Sequence, residues 1–474
     1  MWIEPLYPIL DPGTLENLVA SSLTSPINDT IHPVQAAKQN MKMASFYLVM
    51  ALGAINIKNF FKQSQVRSNQ GLFQNPSASR RSAADLYGEA IKCMDISTQH
   101  HVPSILFIQI LLLISIYSLH GPVASSQWQL AGSAMRMAIE IGLHNSSTAS
   151  GFSEAATDQR NRVFWSAYAI EISLAYNLGR PPSIGEEHIT AEIPRISSTT
   201  LSSILHIKHR QIQSRVISQV YRVNNKVRSL TEAQDMIAQL QEELDQWKSM
   251  IPDPRQPNED SPYPYSFWVR LYNGTSLVLH RSSPLCPNPS RESLGICLKS
   301  AGAYIDNILE LLRESNVPLS WMLVQGVMFA GLTMLITART GFKQLDPRVG
   351  LLSLLVDLPA WTRKCSVCLA IMDERWHEDL LPKLNSQFEV LVNDTLQLIS
   401  SAITSPRDVD VLGEVSVPWP SEMTAPTLGL DDCSFEGAHL PDSGFPGPWY
   451  DFELMRDIMG FDPAQTFWDT FPPE

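Results

Sequence analysis

Residues 128–182 read WQLAGSAMRMAIEIGLHNSSTASGFSEAATDQRNRVFWSAYAIEISLAYNLGRPP and decide the fold. The apolar residues of the first half recur at three- and four-residue steps, which places them on one face of a helix: Leu130, Ala134, Met137, Ala138 and Ile141. Gly142 stands where a left-handed C-terminal cap would end that helix. A second helix is predicted over 158–178, and Gly179 and the prolines after it prevent its continuation. The stretch therefore predicts a helical hairpin with a rigid exit.

Helical periodicity extends outward from this hairpin on both sides. Helices are predicted over 41–57, 82–96, 105–119, 229–251, 265–281, 290–314, 319–340, 348–373 and 378–404. Residues 63–80, rich in Ser, Gln and Asn, predict a polar loop. No run of alternating strand residues is found. The sequence predicts an all-α fold, with a large multi-helix regulatory domain over 1–404 and a largely disordered acidic tail over 405–474.

The segment 229–251 carries the cleanest repeat. Its apolar residues step by three and four: Leu230, Ala233, Ile237, Leu240, Leu244, Trp247 and Ile251. Ser229 and Glu232 match a capping box, and Pro252 ends the helix. About three heptads is the lower limit for a coiled coil. The stripe is therefore interpreted as the core face of one helix, with a dimer seam as the alternative.

Charge is distributed very unevenly along the 474 residues. Of 48 acidic and 35 basic residues, 14 and one follow residue 407, so the preceding part carries 34 of each. A neutral body without runs of Lys or Arg lacks the electrostatic footprint of a DNA-binding surface. The body is not expected to contact DNA directly.

The acidic tail interleaves carboxylates with large apolar side chains. Acidic-hydrophobic alternation is typical of transcriptional activation segments, whose aromatics fold onto a groove of a partner. A solvating tail, or a segment that packs back on the body, is the alternative. The candidate coactivator-binding residues are Trp449, Phe452, Met455, Ile458, Met459, Phe461 and Trp468.

No constellation for catalysis, cofactor binding or metal binding is predicted. Cys365 and Cys368 have the spacing of half a zinc site, but no second such pair or spaced His pair accompanies them. His100, His101, His144 and His377 likewise lack partners at ligand spacing. Phosphate-loop, nucleophile-elbow and zinc-hydrolase motifs are absent from the sequence. A helical enzyme of the terpenoid-cyclase kind is kept as a remote alternative.

Scattered cysteines and a start without a signal-peptide core predict an intracellular protein. The uncharged stretch Trp321–Ala338 approaches membrane-spanning length but holds Gln, Gly and Thr, so it is interpreted as a core helix. No membrane contact is expected.

Taken together, these residues resemble the fungal-specific transcription factor domain, the middle homology region of the binuclear zinc-cluster regulators. The resemblance spans roughly residues 1–404 and peaks in the motif residues Trp128, Gly132, Arg136, Gly142, His144, Arg162, Phe164, Trp165, Gly179, Arg180, Pro181 and Pro182. Their expected roles are architectural. Trp128, Phe164 and Trp165 would act as anchors, Gly132 would permit close helix approach, and Arg180 would reach helix-end carbonyls or a carboxylate.

The resemblance implies a nuclear, pathway-specific activator of a metabolic gene set, with secondary metabolism a frequent setting; shuttling to the cytoplasm stays open. Relatives that bind DNA carry a six-cysteine zinc cluster with a CxxC-x6-C pattern before this region, and the printed sequence holds none. Two explanations stay open. An upstream zinc-cluster exon is missing, in which case zinc is a cofactor, or the chain forms homo- or heterodimers with zinc-cluster regulators and acts through a partner's DNA-binding domain as a modulator.

Overall fold

A computed structural model of the chain describes eleven stretches and a few isolated positions before residue 33. The stretches are 5–10, 33–67, 81–97, 103–120, 127–195, 201–222, 229–252, 263–314, 319–341, 353–376 and 380–404. The tail from residue 405, with all seven candidate coactivator-binding residues, lies outside them, as do His100, His101 and His377.

The described residues contain twelve α-helices and no β-strand, which confirms the all-α prediction. The helices are α1 (Pro33–Arg67), α2 (Ala83–Ser97), α3 (Ile105–Ser118), α4 (Gln127–Glu140), α5 (Glu154–Leu178), α6 (Leu201–Gln219), α7 (Leu230–Ser249), α8 (Tyr265–His280), α9 (Arg291–Glu314), α10 (Trp321–Gly341), α11 (Leu358–Trp376) and α12 (Leu380–Thr404).

Side-chain caps fix where several helices begin. The Ser104 hydroxyl accepts a hydrogen bond from the Phe107 amide at the start of α3, and Ser153 does the same for Ala156 at the start of α5. At α7, Ser229 and Glu232 form the predicted capping box, in which each side chain accepts from the other's amide. Each cap satisfies amides that the first turn leaves without a helical partner.

The helices pack into two groups that α6 and α7 connect. Helices α1–α5 enclose one hydrophobic core, which includes Leu48, Ile110, Met135 and Phe164. Helices α8–α12 enclose a second core, which extends to Val216 of α6 and to Ile237 and Leu240 of α7. A smaller third core lies where α6, α7 and α8 meet, around Trp247 and Trp268.

Several predicted segments differ from the structure, and one helix was not predicted. Helix α1 spans Pro33–Arg67, so the prediction of 41–57 was too short and the predicted loop was wrong for residues 63–67. Helix α5 begins four residues before the predicted Asp158, at its Ser153 cap. The predicted helix over 348–373 has a π-helical turn over Ser353–Asp357 before α11. Helix α6 was not predicted at all, because its buried face carries polar side chains.

The apolar stripe of α7 lies inside the molecule. Five of its residues on the helix are buried, and Ile251 just beyond it is buried as well, whereas Leu230 at the start is 60% exposed. The core interpretation is therefore right for the chain as folded, and the dimer-seam alternative is wrong, because the stripe already packs on α6 and α8.

Helix α10 includes the one described window, Met322–Arg339, that is long and apolar enough to cross a membrane by length and composition, and 72% of it is buried. Its side chains, among them Val327, Phe329 and Leu335, belong to the second core. Such burial is what a core helix of this composition shows.

Truncation of the α7 stripe should separate packing from association. We expect Leu244→Ala, at a fully buried position, to lower the free energy of unfolding by about 2–5 kcal/mol. The matched change Leu230→Ala, at the exposed end, should alter it by no more than about 0.5 kcal/mol. Urea unfolding measures both. If Leu244→Ala changed the sedimentation mass without lowering stability, the stripe would have to be interpreted as a dimer seam after all.

Candidate functional site

The hairpin of α4 and α5 turns at Gly142, as the sequence predicts. Gly142 has φ +72°, and the Leu143 amide donates to the Ala138 carbonyl at 2.8 Å. A Cβ at Gly142 would lie 2.8 Å from Cγ2 of Thr148, so the position excludes a side chain for steric as well as backbone reasons. Gly179, with φ +63°, ends α5 in the same conformation.

Arginines of α5 fasten the loop between the two helices. The Arg160 guanidinium donates to the Thr148 hydroxyl at 3.1 Å and lies 4.7 Å from the ring centre of Phe152. Two residues further along α5, Arg162 pairs with Asp158 at 2.6 Å, and the other carboxylate oxygen of Asp158 accepts a hydrogen bond from the Arg195 amide. The polar loop is thereby held against the start of α5.

The exit after α5 is held by two different interactions. Glu171, buried in the middle of α5, accepts the Ser183 amide at 2.8 Å just after the two prolines. The Arg180 guanidinium lies 4.3 Å from the ring centre of Trp128, at the start of the hairpin. The prediction that Arg180 reaches carbonyls or a carboxylate is therefore replaced by a cation–π contact that joins the two ends of the motif.

The close helix approach predicted at Gly132 is not present. The atoms nearest to a Cβ placed there belong to the Arg136 guanidinium of the same helix, at 3.4 Å, which is an ordinary contact distance. No close approach of another helix at Gly132 explains the glycine.

The segment after the exit, residues 184–195, is tied back onto α4, α5 and α6. The Trp165 indole donates to the Glu192 carbonyl at 2.9 Å, and the His144 carbonyl accepts the amides of Thr190 and Ala191. Glu186 accepts from the Tyr168 hydroxyl at 2.9 Å and pairs with Arg215 of α6 at 3.0 Å. Arg215 also pairs with Glu243 of α7, so the exit segment is linked to the middle helices.

Burial governs the ionisation of the motif's carboxylate. It raises the pKa of Glu171, although the hydrogen bond from Ser183 and the charge of Arg136 act in the opposite direction. The second carboxylate oxygen, Oε2, is buried and makes no hydrogen bond. The ionised form is thus less stable in the fold than in water.

The two cysteines with the spacing of half a zinc site are on helix α11. Cys365 and Cys368 lie buried on α11, where burial raises the pKa of Cys368 to about 12, so neither is poised as a thiolate. No group of three His, Cys, Asp or Glu side chains that could hold a metal occurs in the described part of the chain. These residues do not fit a zinc cluster. That the chain uses no cofactor stays a prediction.

A buried polar cluster on α6 is the feature that sequence reasoning missed. His206, His209, Arg210 and Gln213 all lie in the interior, where His209 contacts the Thr275 hydroxyl of α8 at 3.0 Å. Their spacing of three, four and seven residues, which places them on one helix face, was the available signal. Apolar periodicity does not detect it, because the face is polar.

The first half of the chain matches a known protein family. The model of the fungal-specific transcription factor domain matches residues 1–249, which include the hairpin, its exit segment and helices α6 and α7. The chain belongs to this family. The match ends before α8, so the expected extent of the resemblance, 1–404, is longer than the residues matched.

Among the similar proteins, one is named as a pathway regulatory protein and one as a transcription factor. Protein STB5 of Saccharomyces cerevisiae is 29% identical over 45% of this chain and 33% of its own length. Pyrimidine pathway regulatory protein 1 of the same yeast is 23% identical over 47% of this chain and 27% of its own. An ABC-transporter-regulating transcription factor of Aspergillus oryzae is 28% identical over 31% of this chain and 18% of its own length. The chain thus spans a third or less of these relatives. No solved structure matches it significantly.

The raised pKa of Glu171 predicts a pH-dependent effect of Glu171→Gln. Because the folded state holds this proton more tightly than the unfolded chain, wild-type stability falls as pH rises from the ordinary glutamate pKa through the raised one. Glutamine at position 171 keeps a side-chain oxygen that can accept the hydrogen bond from the Ser183 amide. Because glutamine does not ionise, the variant does not lose this stability as the pH rises.

We therefore expect the melting temperature of Glu171→Gln, relative to wild type, to increase between about pH 4 and pH 8. The control is Glu140→Gln, at an exposed position. Its melting temperature relative to wild type should not change over this pH range. A difference for Glu171→Gln that shrinks with rising pH would contradict the assignment.

Proposed function

We propose that this chain is a nuclear transcriptional regulator without enzymatic activity, in which residues 1–404 form one helical regulatory domain. The observation that carries the proposal is the hairpin of residues 128–182. Its two ends meet where the Arg180 guanidinium contacts the Trp128 ring, and its Glu171 accepts the Ser183 amide just beyond it, inside the stretch that matches the family. Relatives named as a pathway regulatory protein and as a transcription factor support the same assignment.

Packing of the helices supports a domain boundary at residue 404. Helices α8–α12 share their hydrophobic core with Val216, Ile237 and Leu240, which belong to the matched stretch. A division at residue 249 would cut through this core. Helix α12 ends at Thr404, just before the charge composition changes.

The tail, 405–474, is proposed to recruit coactivators. Its net charge keeps it solvated, while Trp449, Phe452, Phe461 and Trp468 offer large apolar contacts to a partner groove. The genes controlled are proposed to be metabolic, including those of secondary metabolism; the relatives' names mention a pyrimidine pathway and ABC transporters.

DNA is proposed to be contacted through a zinc-cluster domain and not through the helical body. The neutral charge of residues 1–407 supports this, because phosphate binding requires clustered Lys and Arg. The same observation favours a second candidate function, a modulator that pairs with zinc-cluster regulators and uses their DNA-binding domains.

Activation by the tail can be tested directly. Residues 405–474, fused to an unrelated DNA-binding domain, should activate a reporter gene in yeast. Replacement of Trp449, Phe452, Phe461 and Trp468 by Ala should reduce the signal to that of the DNA-binding domain alone, because the apolar contacts are lost.

The matched control replaces Ser421, Ser434 and Ser443 by Ala in the same tail and should keep full activation. An inactive wild-type fusion would remove the activator part of the proposal. Activation that survives loss of the four aromatics would show that their contacts are not required.

Gel-shift experiments with the 474-residue chain test the route to DNA. We expect no specific shift and almost no dependence of residual binding on salt, since few phosphates are neutralised. Co-purification with a zinc-cluster regulator, followed by a specific shift of the complex, would support the modulator. A specific, steeply salt-dependent shift by the chain alone would overturn the charge argument.

A further inference from the structure

Helix α11 exposes apolar side chains on the side opposite to its core. Its inner side chains, among them Cys365 and Leu369, are buried in the second core. On the outer side, Val367 is 36% exposed. Leu355 and Val356, in the π-helical turn just before α11, are 49% and 56% exposed. Large apolar side chains therefore face water at one end and in the middle of this helix.

The outer side of α11 continues in steps of three and four residues. Its exposed positions are Ala360, Arg363, Val367, Ala370 and Glu374, which together with Leu355 and Val356 we call the outer stripe. By contrast, the outward face of α7 is dominated by Gln, Glu and Asp, as is usual for a helix that faces water. The outer stripe is about 30 Å long and carries only two charges.

The two charges of the outer stripe lack partners on their own helix. No acid stands three or four residues from Arg363, and no Lys or Arg stands three or four residues from Glu374. The cations next to them are turned to α9, where Lys364 pairs with an aspartate and Arg375 donates to a carbonyl. Arg363 and Glu374 are about 16 Å apart along the helix, which is too far for them to pair with each other.

A second copy of α11 that runs antiparallel supplies both missing partners. In a two-fold arrangement, a contact from one copy to the other is repeated in the reverse direction. The register that places Arg363 opposite Glu374 of the second copy also places Val367 opposite Ala370 of the second copy, because both pairs are centred on the same level of the helix. One register thus brings opposite charges together at both ends and apolar side chains together in the middle.

We propose that the outer stripe of α11 forms a symmetric, antiparallel contact with the outer stripe of a second copy of this chain. Arg363 pairs with Glu374 of the second copy, and symmetry gives this ion pair twice. A contact of this length is smaller than the interface of a permanent dimer, so the association is weak and depends on concentration. It goes beyond the proposed function and does not rest on it, because only the helical body takes part.

Sedimentation equilibrium of the purified 474-residue chain tests this contact by charge exchange. We expect wild type to dimerise with a dissociation constant in the micromolar range. Arg363→Glu and Glu374→Arg each create two contacts between like charges, so each alone should weaken dimerisation about tenfold or more. The double variant restores opposite charges and should return the dissociation constant to within about threefold of wild type. Such a recovery requires two copies, since the two side chains of one copy cannot meet.

Matched controls make the same charge changes at exposed positions outside the outer stripe. Arg222→Glu and Glu140→Arg should dimerise as wild type does. All four positions are exposed, so every variant should keep the wild-type melting temperature to within a few degrees.

Three outcomes would overturn the proposal. One is a double variant that does not recover, and another is a control that weakens dimerisation as much as the stripe variants do. The third is a chain that stays monomeric up to about 100 µM, which would leave the outer stripe to another occupant, such as the acidic tail. Loss of reporter activation by the tail would not affect the proposal.

Discussion

Burial of α5 around its whole circumference is the constraint on which the rest of the structure depends. Every residue from Val163 to Tyr176 is buried, so this helix has no solvent face. Polar side chains in this part of the helix can find partners only inside the protein, and the Ser166 hydroxyl and Oε2 of Glu171 have none. Trp165, Tyr168 and Oε1 of Glu171 find theirs in the segment that follows the helix. These three side chains have no access to water, and their hydrogen bonds hold the exit segment against α5.

Polar contacts also set the register of the helices after α6. Gln241 of α7 accepts from the Ser276 hydroxyl of α8 at 3.0 Å and contacts His280 at 3.2 Å, while Ser300 of α9 donates to Ser276. Sliding one helix by a turn would break several of these bonds at once in a low-dielectric interior. The apolar contacts stabilise the bundle, and the polar ones favour one arrangement of it.

Local chemistry explains which features could be predicted from the sequence. The capping box of Ser229 and Glu232, the left-handed cap at Gly142 and the helix end at Gly179 each involve residues within a few positions of one another, and they were predicted correctly. The contact of Arg180 with Trp128 joins residues 52 positions apart in the sequence and depends on the tertiary fold. Helix α6 was missed because its interior face is polar, and periodicity analysis treats a polar face as a solvent face.

The shared core of α6, α7 and the later helices has a consequence for how the molecule can be divided. A fragment ending at residue 249 would expose Val216, Val220, Ile237 and Leu240, all buried in the intact chain. A contiguous apolar patch of this kind promotes aggregation. We propose that the cooperative folding unit is longer than the matched stretch of residues 1–249, and that fragments of this protein that fold stably end near residue 404.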